Sequence, residues 1–439
     1  MNTGFNPIWR DACQRNRNAI PQLTWLTELR DSAINVLAEN GLPDITQEEW
    51  RYTSLTDYMQ RGAACLANEA TAADTATPGP TTEESVGQPH LELLDGLLEG
   101  PGSGAHVLSA GIEVHSLRQL SPELRARATG LLASHSTPDD TRPPLAALNL
   151  ALLSDGLYLR CTATADTPPP PLHLRLTSSG TAMAQPRLLI ELAPGSRMSL
   201  IIEHRSAAGA VANAVTQVHC GAGSHLDLLR IQDLPADGFL TETTHIELDR
   251  DAILSATSLD FGGQLVRQDL SVALNGAGAI ANINGAFVVD GHRHIDNHTT
   301  IDHRAPDTGS REMFHGLATG HGRGVFNGRI IVQPGAVRTA SALNSRNLLL
   351  AGTAEIDTKP ELEIFTDDVR CSHGATTGEL DANALFYLRT RGLGPDEARQ
   401  ALITAFLHAT LALIKPEDLG VRVAARLQSR LEALDGAAI

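Results

Sequence analysis

Lysine is almost missing from this sequence. Lys359 and Lys415 are the only two among 439 residues, and arginine supplies the other basic side chains. A phosphate-binding P-loop needs a lysine directly after a glycine-rich turn, where it reaches the β- and γ-phosphates. Lys359 stands in Asp357-Thr358-Lys359-Pro360 and Lys415 in Ile414-Lys415-Pro416, so neither fits. Any ATP hydrolysis connected with this chain belongs to a partner. Net positive charge is lacking too: 34 basic residues face 51 acidic ones, a net charge of −17. That argues against general nucleic-acid binding, which needs a basic surface to displace counterions, and against docking on anionic lipid. Cysteine is sparse. Cys13, Cys65, Cys161, Cys220 and Cys371 are scattered, odd in number and without a CxxC pair, which speaks against a disulfide framework or a closed zinc site. Aromatics make up 4 %, poor material for the stacking faces of a carbohydrate-binding or lyase module. No apolar run approaches the ~20 residues of a membrane span. The opening MNTGFNPIWRDACQRNRN lacks the apolar core of a signal peptide. These absences predict a soluble, reducing, cytoplasmic setting with no nucleic-acid and no membrane partner.

What is present divides into three textures. Residues 1–150 read as a mostly helical N-terminal region. Within it, 22–41 and 46–68 are helical, with Leu26, Leu29, Ile34 and Leu37 at helical spacing. A Thr/Ala/Pro-rich linker follows at 69–90. Residues 121–135 predict another helix, with Ser121 as N-cap, Pro122 at the first position and Glu123 in the first turn. From 151 to 385 short apolar runs recur between Gly, Asn and Asp: Leu188-Leu189-Ile190, Met198 to Ile202, Leu226 to Leu229, Phe287-Val288-Val289. Many short strands without intervening helices make a mainly β domain. Sandwich, barrel and parallel β-helix all fit. Weak hairpin signals and even texture favour the β-helix, although no strict repeat period is visible. Residues 386–439 return to helix. Gly394-Pro395-Asp396-Glu397 is a helix start. Ala398, Leu402, Ala405, Phe406 and Ala409 follow on one face. A second helix from about Pro416 carries Val423, Leu427, Leu431 and Leu434. On pattern alone such stripes pack on their parent domain, with partner docking the lesser reading.

Two polar constellations carry candidate chemistry. The first is Gly291-His292-Arg293-His294-Ile295-Asp296-Asn297-His298, followed by Asp302-His303. On a strand, His292, His294, Asp296 and His298 would share one face. That set suits zinc or iron or, more plainly, a solvated polar ladder. The second is Asp367-Asp368-Val369-Arg370-Cys371-Ser372-His373-Gly374-Ala375-Thr376. Cys371 and His373 point the same way on a strand. They suit a soft metal or an activated thiolate, or a buried structural cysteine beside a hydrogen-bonded histidine.

The stretch from Ile295 to Arg391 resembles the SufB/SufD family of iron–sulfur cluster assembly scaffolds. The residues that carry the resemblance are His298, His303, Pro306, Gly316, Val325-Phe326-Asn327-Gly328-Arg329-Ile330, Thr339 and Asn347-Leu348-Leu349-Leu350. They continue in Lys359-Pro360-Glu361-Leu362-Glu363-Ile364, the Asp367 to Thr376 segment and Phe386-Tyr387-Leu388-Arg389-Thr390-Arg391-Gly392. Glu48-Glu49-Trp50-Arg51-Tyr52-Thr53 resembles the family's N-terminal motif. The resemblance implies a right-handed parallel β-helix core with helical N- and C-terminal subdomains. It implies a heterodimer with a SufB-like subunit, and a SufC-like ABC-type ATPase held by the C-terminal helices. Leu402, Phe406, Leu427 and Leu431 then become the partner-binding residues. Within the family the chain resembles the SufD branch. Ala354 stands where SufB-type chains carry a cysteine used in cluster building, and Gly374 replaces a glutamate after the histidine. His373, with Cys371 beside it, is the implied cluster-assembly residue and metal ligand. Two positions depart from the family pattern: His315 stands for a common lysine and Ala342 for a common glutamine.

The expectation is therefore a non-enzymatic scaffold subunit with no tightly bound cofactor of its own. A nascent iron–sulfur cluster would form at the complex interface; the sequence leaves open whether the isolated chain pairs with itself. The resemblance also links reduced flavin to the assembled complex, but the sequence shows no flavin fingerprint. The alternative is a β-helix metalloenzyme using the histidine-rich strand.

Overall fold

A computed structural model of the chain describes residues 9–13, 21–68, 90–98, 106–109, 111–134, 142–164, 168–414, 420, 423, 424, 427 and 431. The linker predicted at 69–90 lies almost wholly outside them. From Arg187 to Gly378 strands of eight to eleven residues follow one another through short turns, apart from a six-residue first strand, and successive strands join opposite sheets. The result is a parallel β-solenoid of about eight turns. Among the described residues its sheets hold ten and eleven strands. The missing repeat period has a plain cause. Phe239 pairs with Leu265, 26 positions on, whereas Arg323 pairs with Glu355, 32 positions on. The turns vary in length while the strands keep register.

Eight strands position the site: β1 (Leu265–Leu274), β2 (Ile280–Val289), β3 (His294–His303), β4 (Gly309–Ala318), β5 (Arg323–Val332), β6 (Thr339–Leu349), β7 (Glu355–Ile364) and β8 (Val369–Gly378). Odd-numbered strands up to β7 belong to the eleven-stranded sheet, and β2, β4, β6 and β8 to the other. Alternate side chains of every strand point inward. Ile283, Phe287, Phe314, Phe326, Ile330 and Leu343 fill the interior, with the Phe314 and Phe326 rings 4.4 Å apart. Burying each ring is worth about 2 kcal/mol. The family glycine Gly316 follows from this crowding, since a Cβ there would collide with Phe287 and Asn347.

Polar groups also lie inside. His303 is fully buried, with Nδ1 2.8 Å from Thr308 Oγ1 and Nε2 3.0 Å from Ser310 Oγ. Burial pushes its imidazole down to about 4. Glu312 is fully buried, and among the described residues neither carboxylate oxygen has a hydrogen-bond partner. Burial pushes its carboxyl up to about 7, with Thr299 nearby as a small offset. A carboxyl raised in the folded state favours folding below its unfolded value, and that advantage is lost as pH rises through the folded value. We therefore expect stability to fall between about pH 4.5 and 7 by an amount on the order of 3 kcal/mol from this group. Glu312→Gln should flatten that part of the curve in denaturant titrations at a series of pH values. An unchanged slope would show that Glu312 ionises as it does in the unfolded chain.

The first 150 residues contain strands as well as helices. His90–Leu94 extends one sheet beside Leu172–Ser178, and Ile112–Ser116 extends the other, antiparallel to Leu157–Cys161. The strict alternation of buried and half-buried residues in Ile112–Ser116 explains its place. Helices α1 (Thr27–Asn40), α2 (Thr56–Asn68), α3 (Pro122–Ala133) and α4 (Pro144–Leu152) form a second core around Trp9, Leu37, Tyr58 and Leu148. Ser121 caps α3 by accepting from Leu124 N at 3.3 Å. At the other end come α5 (Ala382–Thr390) and α6 (Pro395–Leu411). Ile403, Leu407 and Leu411 of α6 pack on Leu259, Ala286, Val288 and Leu317, the outer face of the ten-stranded sheet. Among the described residues no helix is long and apolar enough to cross a membrane.

Candidate functional site: the open last coil

β7 and β8 make the last coil, and each ends its sheet. β7 pairs only with β5, and β8 only with β6. Among the described residues one row of main-chain donors and acceptors on each strand has no strand partner. Proteins normally cover or blunt such an edge. Burial falls away accordingly: β7 is largely half-buried and β8 mostly exposed.

Register fixes what the coil presents. Cys371 lies over Ser341 and His373 over Leu343, both in the inward row. Leu343 is fully buried by the coil above it. His373 belongs to the last coil, so the same row leaves it exposed at the mouth of the solenoid. Cys371 is half-buried and packs on the interior cluster. Burial pushes its thiol up, so it stays protonated near neutral pH rather than serving as a ready thiolate. Asn347 ties the coil together, with Nδ2 3.0 Å from Thr358 Oγ1 on β7 and 3.4 Å from Thr377 Oγ1 on β8. The structure thus places His373 and Cys371 two residues apart on one row, as strand alternation predicts.

The histidine-rich segment is placed differently. β3 begins at His294, so His292 lies in the preceding turn and is not on the strand face. Its ring stacks on His321 at 4.8 Å and 3°. The other three hold the N-terminal motif. Thr53 donates to Asp296 Oδ2 at 2.5 Å and accepts from His294 Nε2 at 2.8 Å. His298 Nε2 is 3.0 Å from Asp296 Oδ1. Arg267 on β1 donates to Asp296 Oδ2 at 2.6 Å and to the Glu49 carbonyl at 2.9 Å, and its guanidinium lies 4.1 Å from the Trp50 ring centre. Burial would raise Asp296, but Arg267 and His298 outweigh it and hold the carboxyl well below its usual range. Burial also pushes His294 down. Lys359 donates to Glu48 at 2.6 Å and to Glu361 at 2.9 Å. The motif Glu48 to Thr53 is therefore fastened across the sheet from β1 to β7. No local sequence signal announced these partners.

Among the described residues no three His, Cys, Asp or Glu side chains converge as a metal site. Exchanging His292 and His294 for Gln together should leave the iron and zinc content of the purified chain unchanged. A loss of stoichiometric metal in the double variant would revive the metalloenzyme reading.

At the C-terminal end Leu427 and Leu431 are buried on the chain's own outer sheet face, and Leu402 and Phe406 are half-buried. Phe406 meets the His315 ring edge-on at 4.8 Å, and His315 Nδ1 is 2.7 Å from Thr410 Oγ1. His315 thus takes up the role of fastening α6 to β4. The free apolar surface lies elsewhere: Phe386 and Tyr387 on α5 are 69 % and 55 % exposed, and Phe365 just after β7 is 57 % exposed. Periodicity did not single them out, because adjacent aromatics mark a surface patch rather than a buried stripe.

Comparison with known proteins shows the family. Residues 174–406 match the family model "SUF system FeS cluster assembly, SufBD core domain". The chain is 27 % identical to the iron–sulfur cluster assembly protein SufD of Escherichia coli over 413 residues, 90 % of each chain. It is 26 % identical to an iron–sulfur cluster assembly SufBD family protein of Synechocystis over 419 residues, 91 % of this chain and 89 % of that one. A Mycobacterium leprae SufBD family protein is 28 % identical over 270 residues, 60 % of this chain and 68 % of the relative. The family model covers more than half of the sequence, and the chain belongs to the SufB/SufD family, where it is SufD-like.

Proposed function

We propose that this chain is a scaffold subunit of SUF-system iron–sulfur cluster assembly that pairs with a SufB-like chain and carries a SufC-like ABC-type ATPase. The family model and the names of the relatives support cluster assembly. One observation carries the finer reading: the last coil leaves two strand edges without partners, with His373 on the inward row between them. A second solenoid set against these edges would cover them and enclose the histidine. Iron and sulfide are the cargo. His373 supplies a borderline nitrogen donor, and thiolates come from the partner. Without the partner, the same edges offer a homodimer contact.

The ATPase docks at the C-terminal helices. α6 with the helical residues Val423, Leu427 and Leu431 forms the base on the sheet, and Phe386 and Tyr387 are the exposed anchors, a residue class that dominates interface energies. ATP-driven movement of the ATPase would then strain the subunit interface through α5 and α6. Co-expression of the three proteins, purification through a tag on this chain and mass spectrometry of the eluate test the assignment. Phe386→Ser with Tyr387→Ser should lower recovery of the ATPase roughly tenfold, the effect of losing one or two anchors. The SufB-like chain and the circular dichroism should be unaffected. Undiminished ATPase recovery would remove the docking assignment.

A further inference from the structure

Arg187 opens the strand Arg187–Leu192 and is fully buried beneath α4. Its Nη1 donates to Asn149 Oδ1 at 3.2 Å and its Nη2 to Gln217 Oε1 at 3.0 Å, while Nε has no acceptor among the described residues. Arg142, just before α4, is 7 % exposed and donates from Nη2 to the Leu132 carbonyl at 2.7 Å. Among the described residues no carboxylate pairs with either guanidinium. Two other fully buried arginines differ: Arg230 lies between Glu242 and Asp260, and Arg267 between Asp269 and Asp296. Burial, and then the charge of Arg142, push Arg187 well below the ordinary arginine range. Burial pushes Arg142 down to about 10.

Both arginines line one cavity of about 30 Å³, together with Gln217, Thr243, His245 and Ser271. That is room for one or two water-sized atoms, too little for a phosphate ester or a nucleotide. Glu247 accepts from Ser134 at 2.5 Å and lies 3.5 Å from His245 Nε2, but it does not line the cavity. The neighbouring cleft of about 580 Å³ under Trp50 shares Arg142, Pro143, Thr243 and Ser271 with it, and Glu39, Glu49, Asp269 and Glu361 also line that cleft. Two buried cations with no countercharge among the described residues are costly, and water does not neutralise them. A single small anion between them lowers the net charge from two to one and gives the spare Arg187 Nε an acceptor.

We infer that this cavity binds a monovalent inorganic anion of one or two heavy atoms, of which chloride is representative, bridging the guanidinium groups of Arg142 and Arg187. The site is independent of the open last coil. Its test uses the full chain, with bromide and chloride exchanged for gluconate at constant ionic strength. The halides should raise Tm saturably by about 1–3 °C. Arg142→Gln should abolish the dependence. Crystals grown in bromide should show an anomalous peak between the two guanidiniums, a measurement that needs no variant to fold. A halide-independent Tm, an equal rise in Arg142→Gln, or no peak would each overturn the inference. A peak without a Tm rise would mean binding at crystal concentration only and would overturn it as well.

Discussion

His373→Ala is expected to form the three-component complex in normal stoichiometry yet carry roughly tenfold less iron and acid-labile sulfide, the scale of losing one metal-site contact. Under the proposed function, assembly and loading are expected to separate at this residue. His373 is exposed, so truncation leaves no cavity to collapse. β8 is held to β6 by main-chain pairing from Thr339–Val369 to Leu348–Gly378, which the substitution does not touch. Imidazole is a borderline donor that suits iron. Cys371→Ser should have the smaller effect, because burial keeps the Cys371 thiol protonated. Wild-type cluster content in a correctly assembled His373→Ala complex would make His373 an ordinary surface histidine. Should alanine prevent assembly, His373→Asn keeps a polar side chain of similar reach and repeats the test.

Arg267→Met should cost about 3–5 kcal/mol of stability, the range for breaking one side of a buried ion pair. Arg267 and Asp296 are both fully buried, and the guanidinium also holds Asp269, the Glu49 carbonyl and the Trp50 ring. In the wild type the depressed Asp296 carboxyl contributes stability above its unfolded value, and that contribution is lost as pH falls through the folded value. Without Arg267 burial dominates and the carboxyl rises, so the sign reverses. The variant should be least stable at pH 8 and recover as the pH is lowered toward 5. Adding Asp296→Leu should restore part of the loss. Urea titrations at both pH values measure this. A loss under about 1 kcal/mol would place the pair among surface bridges of little worth, and the N-terminal motif would then be fastened by other contacts.

Much of the solenoid was legible because strand texture is local. Leu188 to Ile190, Met198 to Ile202, Leu226 to Leu229 and Phe287 to Val289 each lie within a solenoid strand. Coil count was hidden by turns that vary the repeat from 26 to 32 positions. The family motifs were legible as residues, but their roles were not. Gly316 makes room for Phe287, and His303 fastens an inner polar row; neither performs chemistry at the open coil. The histidine segment was misread at one end. Gly291, at φ 57°, continues the turn, so β3 starts two residues after it would need to for His292 to share the face. Its true partner, Thr53, is 241 positions away, beyond any periodicity argument. Spacing predicts that the C-terminal stripe with Leu427 and Leu431 packs on its parent domain, and both lie against the chain's own sheet; the exposed Phe386 and Tyr387 carried no such signal. The pairing of Arg142 with Arg187 is equally silent in sequence.

The open last coil as the subunit interface is tested most directly by amide hydrogen exchange on this chain, alone and bound to the SufB-like partner. Residues 355–364 and 369–378 should gain strong protection on binding, because the unpaired edges of β7 and β8 become hydrogen-bonded and covered. Protection confined to other surfaces, with exchange in these two strands unchanged in a stable complex, would contradict the account.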